Sequence, residues 1–213
     1  MAFTQYERME HGLLYDCADP AICKDQDQVK AKIQEYNQLG NCAYEVRDKC
    51  LKEMLAECGE GCFIEAPFYA NWGGSHVHFG SRIYANYNLT LVDDGHIYVG
   101  DAVLFGPNVT VITATHPIQP SLRKQAYQYN KDVYIGENAW IGAGALILPG
   151  VRIGKNSVIG AGSVVVKDIP DNVVAVGNPC RVLRPIDERD DAFYDHDREI
   201  DWEELESEFG VQR

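Results

Sequence analysis

Large aliphatic residues recur every six positions across residues 133–168. They are Ile135, Ile141, Ile147, Ile153, Ile159 and Val165. A period of six matches neither the 3.6-residue turn of a helix nor the two-residue alternation of a long strand. It is typical of a chain that makes a short strand, turns and repeats, so that three strands close one triangular coil. The sequence therefore predicts a mainly β protein, a parallel β-helix of hexapeptide repeats.

Stacking between successive coils follows from this repeat. Each inward aliphatic residue should lie over the residue one coil, or 18 positions, further along the chain. The expected pairs are Ile135 with Ile153, Ile141 with Ile159, and Ile147 with Val165. A flat sheet of short strands is the alternative, but it would need turn signals about every 8–12 residues.

The same six-residue step occurs earlier in the chain, with two interruptions. Phe79, Ala85 and Leu91 form one run, and Val99, Phe105 and Val111 form the next. The segment Asp93-Asp94-Gly95 between them predicts a turn that adds two residues. Between Val111 and Ile135 the pattern stops, and the segment of about residues 115–132 is polar and aromatic. We expect this segment to be an extended loop, and long loops on a regular scaffold usually carry function.

The N-terminal part predicts a small helical cap. Residues 25–39 and 47–58 have apolar residues at helical spacing, Asp19-Pro20 is expected to break the chain, and Gly59 is expected to cap the second helix. Such helices should cover the open end of the first coil. We thus divide the chain into a cap (1–60), the β-helix (61–184) and a C-terminal tail (185–213) with a short helix at 202–209.

Charge and composition restrict the partners. The net charge of −13 argues against nucleic acid, and no apolar run is long enough to span a membrane. With no signal peptide and no CxxC pair among its seven cysteines, the chain is expected to be cytoplasmic, with reduced and mostly buried thiols. Residues 152–184 carry five basic and two acidic side chains, whereas 185–213 carry three and twelve. The basic segment suggests a local anionic ligand, although a solvated surface would also explain it.

His116 is the first candidate for chemistry, in the sequence Thr113-Ala114-Thr115-His116-Pro117 where the regular repeat gives way to the loop. An imidazole has a reference pKa near 6.5 and can take a proton from a hydroxyl at neutral pH. A structural histidine at the base of the loop is the alternative.

His76 and His78 form an H-x-H pair whose side chains would lie on one side of a strand. With His96 or His116 as a third ligand they could hold a metal. That would make the protein a metal-dependent hydratase of the gamma carbonic anhydrase type, an alternative that stays open here. A β-helix scaffold without catalysis is a further alternative.

Several polar residues fall at expected corners or in the cap, where they are either turn residues or part of a site. They are Asp16, Asn71, Asn86 and Asp94. Lys167, Arg181 and Arg184 lie near the end of the β-helix, and arginine side chains suit phosphate.

Motifs that run in order from residue 84 to 184 resemble the maltose and galactoside O-acetyltransferases, a branch of the hexapeptide acyltransferases. They are Tyr84-Ala85-Asn86-Tyr87-Asn88, Val92-Asp93-Asp94, Thr113-Ala114-Thr115-His116-Pro117, Trp140-Ile141-Gly142, Pro149-Gly150-Val151, Gly160-Ala161-Gly162-Ser163, Lys167-Asp168-Ile169-Pro170 and Gly177-Asn178-Pro179-Cys180-Arg181-Val182. Met54-Leu55 and Ile64-Glu65-Ala66-Pro67-Phe68 resemble the end of the family's cap.

The resemblance implies a left-handed β-helix, a homotrimer with active sites between subunits, and acetyl-CoA as cosubstrate without a required metal. It implies that His116 is the general base that deprotonates a sugar hydroxyl. It also implies that Asn86 contacts the acceptor close to the reacting carbonyl.

The remaining roles are also carried over from the family. The acceptor would be bound by Asp16, Asn71, Tyr84 and Asp94. CoA would be bound by Trp140, Ala143, Ala161, Val166, Lys167, Arg181 and Arg184. Where relatives have aspartate or serine this chain has Asn71, and Cys23-Lys24-Asp25 stands where galactoside-acetylating members carry an arginine. These departures lie on the acceptor side, so the identity of the sugar stays open.

Overall fold

The structure, a computed structural model, describes residues 2–40 and 44–211. The helices of this part are α1 (Gln5–Glu10), α2 (Pro20–Gln38), α3 (Tyr44–Met54), α4 (Pro120–Arg123), α5 (Glu188–Ala192) and α6 (Trp202–Phe209). The strands are β1 (Tyr15–Asp16), β2 (Glu57–Cys58), β3 (Phe63–Ile64), β4 (Tyr69–Ala70), β5 (Val77–Phe79), β6 (Tyr84–Ala85), β7 (Thr90–Val92), β8 (Ile97–Val99), β9 (Leu104–Phe105), β10 (Thr110–Ile112), β11 (Ala114–Thr115), β12 (Tyr127–Asn130), β13 (Val133–Ile135), β14 (Trp140–Ile141), β15 (Leu146–Ile147), β16 (Arg152–Ile153), β17 (Val158–Ile159), β18 (Val164–Val165), β19 (Val173–Val176), β20 (Arg181–Pro185), β21 (Phe193–Asp195) and β22 (Arg198–Glu199).

Three stacked sheets form the faces of a parallel β-helix. Face I has the order β16-β13-β8-β5-β2, face II the order β20-β19-β17-β14-β9-β6-β3, and face III the order β18-β15-β10-β7-β4. The chain visits face I, then II, then III in each coil. Every pairing within the faces is parallel except that of β20, which returns antiparallel to β19. The expected mainly β fold of stacked hexapeptide coils is confirmed.

The register between coils is the one the repeat predicts. Ile135 pairs with Ile153, Ile141 with Ile159, and Ile147 with Val165. All six side chains are buried and belong to one continuous core that runs the length of the β-helix. Outward neighbours such as Trp140 stay exposed, because successive residues of a strand point to opposite sides.

The turn at Asp93 enlarges one coil, as predicted. Leu91 pairs with Val111, 20 positions later, instead of 18. The buried Asp93 carboxylate accepts the Trp72 N–H at 2.7 Å and the Gly74 N–H at 3.0 Å, which fixes the turn of the preceding coil. Gly73, at φ +65°, passes so close to α2 that a Cβ would meet the carbonyl oxygen of Val29. Side chains larger than hydrogen therefore do not fit there.

The cap differs from the expectation at two helix ends. Asp19-Pro20 begins α2 instead of breaking the chain, because the Asp19 side chain accepts the N–H of Ala21 and proline suits the first helical position. Gly59 does not cap α3, which ends at Met54. The chain enters strand β2 first, because the edge of β5 offers it a parallel partner. Tertiary pairing therefore overrides the helical pattern of these residues.

The cap covers the first coils, as predicted. Tyr36 and Arg47 both donate to the carbonyl oxygen of Ile64, at 2.6 and 3.2 Å. Their neighbours Ile33 and Leu51 belong to the same core as the coils. The open end of the β-helix is thus closed by hydrogen bonds to its exposed carbonyls and by apolar contact.

The segment 115–132 leaves the β-helix as a hairpin. Strands β11 and β12 pair antiparallel, with α4 in the connection. Strand β1 of the cap adds to the other edge of β12, which makes a three-stranded sheet outside the faces. The cap and the excursion are therefore one unit.

The tail is outside the β-helix and contains the predicted helix, α6.

Among the described cysteines only Cys62 and Cys180 are buried and Cys23 is exposed, so the expectation of mostly buried thiols is wrong. Cys42 lies outside the described residues. In the part of the chain that the structure describes, no helix has the length and apolarity needed to cross a membrane.

Candidate active site

His116 directly follows β11, at the point where the chain leaves face III, and its side chain is exposed. Its Nδ1 lies 2.8 Å from the carbonyl oxygen of Tyr127 on β12. Because a carbonyl oxygen can only accept, Nδ1 carries the hydrogen and Nε2 presents a lone pair. The backbone of the hairpin thus fixes the tautomer that a general base needs.

Asp94 lies at the same corner, between faces III and I, and is buried. Its Oδ2 accepts the amide of Asn71 at 2.9 Å, and its Oδ1 accepts the amide of Gln128 at 3.1 Å. The structure therefore brings two predicted acceptor residues into direct contact. Sequence reasoning missed Gln128, although it is a polar residue beside two tyrosines in the segment singled out as functional.

Asp16 lies on β1, the strand that pairs with β12. In β1 it is opposite Tyr127, whose carbonyl holds His116. Asp16 Oδ1 accepts the N–H of Ala18 at 2.9 Å, so the carboxylate is oriented by its own turn. His116, Asp16, Asn71 and Asp94 are therefore gathered around the hairpin, as one site would require.

Tyr15, next to Asp16, is fully buried beneath this group. Its hydroxyl contacts the Gln128 amide and lies 3.4 Å from Asn130 Oδ1. Burial, with a smaller effect of the Asp94 charge, raises the pKa of Tyr15 far above its usual range. Tyr15 therefore stays neutral and can both donate and accept a hydrogen bond.

Asn86 follows β6 at a different corner, between faces II and III. Its Oδ1 accepts the N–H of Tyr87 at 2.7 Å, which leaves the amide NH2 to donate to a ligand. Tyr84, on the outside of face II, is exposed and stacks on Phe63 with ring centroids 6.4 Å apart. Within one chain, Asn86 and His116 lie at opposite ends of the short strands of face III, and the structure does not bring them together.

The predicted CoA residues fall into three groups. Ala143 and Ala161 are exposed at the corner where Asn86 lies, in successive coils joined by the Gly162 N–H to Ala143 carbonyl bond of 2.8 Å. Trp140 is 54% exposed on face II. Val166 and Lys167 follow β18 at the next corner, and Arg181 is exposed on β20.

Arg184, also on β20, is already engaged by the tail. Its two terminal nitrogens each lie 2.6 Å from an oxygen of Asp190. This bidentate pair lowers the pKa of Asp190 to about 2. A phosphate at Arg184 would have to compete with that carboxylate.

The histidines of the alternative metal site do meet, with His96 and not His116 as the third. His78 Nε2 lies 2.9 Å from His96 Nδ1, which is a hydrogen bond, while His76 Nδ1 lies 2.7 Å from the carbonyl oxygen of Asp93. Over residues 2–40 and 44–211, no three or more His, Cys, Asp or Glu side chains are arranged to hold a metal ion.

Two family models match the chain. The bacterial transferase hexapeptide (six repeats) matches residues 132–167, and the maltose acetyltransferase hexapeptide capping motif matches residues 8–59.

Individual proteins match nearly the whole chain. A galactoside O-acetyltransferase of Lactococcus lactis subsp. lactis is 56% identical over 94% of this chain and 97% of its own length. A galactoside O-acetyltransferase of Escherichia coli is 44% identical over 94% and 98%. A solved structure of galactoside acetyltransferase in complex with coenzyme A has a TM-score of 0.89 at 42% identity, over 94% of this chain and all of that one.

Proposed function

This chain belongs to the family of maltose and galactoside O-acetyltransferases, and on that premise we propose that it transfers the acetyl group of acetyl-CoA to a sugar hydroxyl with His116 as the general base. That it is an acetyl-CoA-dependent acetyltransferase follows from the family. The acceptor and the base are the proposal. The observation that carries it is the bond from His116 Nδ1 to the Tyr127 carbonyl, which leaves Nε2 free to take a proton.

The reaction needs a base because a neutral alcohol is a poor nucleophile toward a thioester. His116 Nε2 accepts the hydroxyl proton while the oxygen adds to the carbonyl carbon of the thioester. The tetrahedral intermediate then breaks its C–S bond, and the imidazolium returns the proton to the sulfur. The products are an acetyl ester and free CoA, and His116 ends neutral.

Two groups of side chains would hold the reacting partners. Asp94, Asn71 and Asp16 offer oxygens and an amide to sugar hydroxyls beside His116, and Tyr84 would pack on the acceptor. The free amide NH2 of Asn86 would donate to the acceptor and to the oxygen that becomes negative during the reaction. The names of the relatives, galactoside O-acetyltransferases, support a sugar as the acceptor.

CoA would lie along the corner of Asn86, against Ala143 and Ala161, where small side chains leave the backbone accessible. Trp140 and Val166 would contact its apolar arm. The basic side chains Lys167, Arg181 and Arg184 would contact its phosphates, which suit guanidinium and ammonium groups.

We also propose that the protein is a homotrimer whose sites form between subunits. His116 and Asn86 lie at different corners of one chain, so a site that contains both needs the corner of a neighbouring chain. Exposed apolar side chains aligned on face II, such as Leu104 and Trp140, could be covered by that neighbour. Light scattering after size-exclusion chromatography should give three times the mass of the 23.8 kDa chain.

We place the protein in the cytoplasm, because the described cysteines carry free thiols.

The variant His116→Ala tests the base. We expect kcat to fall about 100-fold or more, with KM for acetyl-CoA unchanged, since the base acts on the acceptor. The assay separates CoA from acetyl-CoA by chromatography, with methyl galactoside and maltose as acceptors. His196→Ala, an exposed histidine of the tail, is the matched control and should be fully active. Near-normal turnover by His116→Ala would remove His116 from the mechanism.

A further inference from the structure

Gln128 joins three parts of the molecule. It is 7% exposed on β12, and its amide NH2 donates to Asp94 Oδ1 on the β-helix and to the Tyr15 hydroxyl of the cap. We propose that Gln128 is the positioning residue of the acceptor site: it holds the Asp94 carboxylate in the one orientation that binds the acceptor hydroxyls. This inference rests on the proposed function.

The direction of each hydrogen bond in the group is determined. The Asp94 carboxylate can only accept, so the nitrogen of Gln128 faces it. Tyr15 then accepts from Gln128 and donates to Asn130 Oδ1, and the amide of Asn130 donates to the backbone carbonyl of Asp94 at 2.8 Å. Every donor has an acceptor, and the group therefore has one arrangement instead of several.

The carboxylate is held from two sides and can still accept further hydrogen bonds. Asn71 donates to one oxygen of Asp94 and Gln128 to the other. Because each carboxylate oxygen accepts about two hydrogen bonds, each keeps a place for a hydroxyl of the acceptor. Without Gln128 the carboxylate could rotate, and a bound acceptor would lose its alignment with the base.

One strand sets the base and the acceptor anchor together. The carbonyl of Tyr127 holds His116, and the side chain of the next residue, Gln128, holds Asp94. Successive residues of β12 therefore control the two groups between which the acceptor hydroxyl must sit.

Two substitutions separate positioning from folding. Gln128→Leu removes the donor and should raise KM for the acceptor about 10-fold or more, the value of a hydrogen bond to a charged group, with KM for acetyl-CoA unchanged. Gln128→Glu places two carboxyl groups in contact, which is favourable only while they share a proton. Its KM for the acceptor should therefore rise as the pH is raised from about 5 to 8, unlike that of the wild type.

The experiment measures both KM values against pH for the trimeric or otherwise native protein, with methyl galactoside and maltose as acceptors. Gln125→Glu adds the same charge at an exposed position of the same hairpin and should match the wild type. An acceptor KM of Gln128→Glu with the wild-type pH profile would overturn the inference, as would a parallel rise of both KM values in Gln128→Leu. If the wild type acetylates neither sugar, the proposed sugar acceptor is wrong. If the wild type is active and both Gln128 variants have its KM values and pH profile, only the role of Gln128 is refuted.

Discussion

Replacing Asp93 by asparagine should remove a pH dependence from the stability of the fold. The Asp93 carboxylate is completely buried and accepts the backbone N–H groups of Trp72 and Gly74. Burial raises the pKa of Asp93 from its usual 3.8 to about 6, because the charged form is poorly solvated there. The hydrogen bond from the Trp72 N–H and the neighbouring His76 oppose this rise in the pKa but do not cancel it.

The size of the effect follows from the shift. About two pKa units correspond to about 3 kcal/mol of free energy of unfolding. Since the folded chain binds the proton more tightly than the unfolded chain, this contribution is present in full below about pH 4. It is lost as the pH rises through about 6, so Asp93 makes the fold less stable at neutral pH than at mildly acidic pH.

Urea unfolding at fixed protein concentration, at several pH values from 4 to 7.5, measures this. As the pH is raised over that range, the free energy of unfolding of the wild type should fall by about 3 kcal/mol relative to that of Asp93→Asn. Any constant difference reports the N–H that asparagine leaves unpaired, because its NH2 cannot accept. Asp197→Asn, in the exposed tail, should keep the wild-type slope. If Asp93→Asn also keeps that slope, the reasoning about burial is refuted.

Two further predictions concern the core and the tail. Ile141→Ala opens a cavity between the buried Phe105 and Ile159 and should lower the free energy of unfolding by about 2–5 kcal/mol in urea titrations. Ile118→Ala, 92% exposed in the hairpin, should cost much less. Asp190→Asn frees Arg184 and should lower KM for acetyl-CoA a few-fold in steady-state assays at low salt. The difference from the wild type should vanish at high salt, which screens the charges. An unchanged KM at low salt would show that Arg184 does not bind the phosphates of CoA.

The local elements of the cap show where reading the sequence reaches its limit. Both long helices were expected, but α2 begins at Pro20 instead of near residue 25, and α3 gives way to β2 before Gly59. The same aspartate-proline pair can stop one helix or begin another, and only the path of the flanking chain decides which. The pairing of β2 with β5 likewise depends on a partner 21 positions away in the sequence.

The candidate site divides in the same way. The sequence and the family resemblance singled out His116, Asn71 and Asp94, and the structure gathers them at one corner. Gln128 and Tyr15 were not expected, although they complete the network around Asp94. Arg184 was expected to face a phosphate, and in the structure it faces Asp190.

The sequence by itself determined the β-helix, its inward residues and the register of its coils, because each repeat packs on a copy of itself. A period of six therefore predicts the tertiary contact, and the place of Ile141 in the repeat predicts that it packs on Ile159. Only the tertiary structure decided which nitrogen of His116 is free and what holds Asp94. Those contacts join the cap, the hairpin and the coils, with Tyr15 and Gln128 separated by 113 positions. No periodicity relates such residues, so their contacts exist only once the chain has folded.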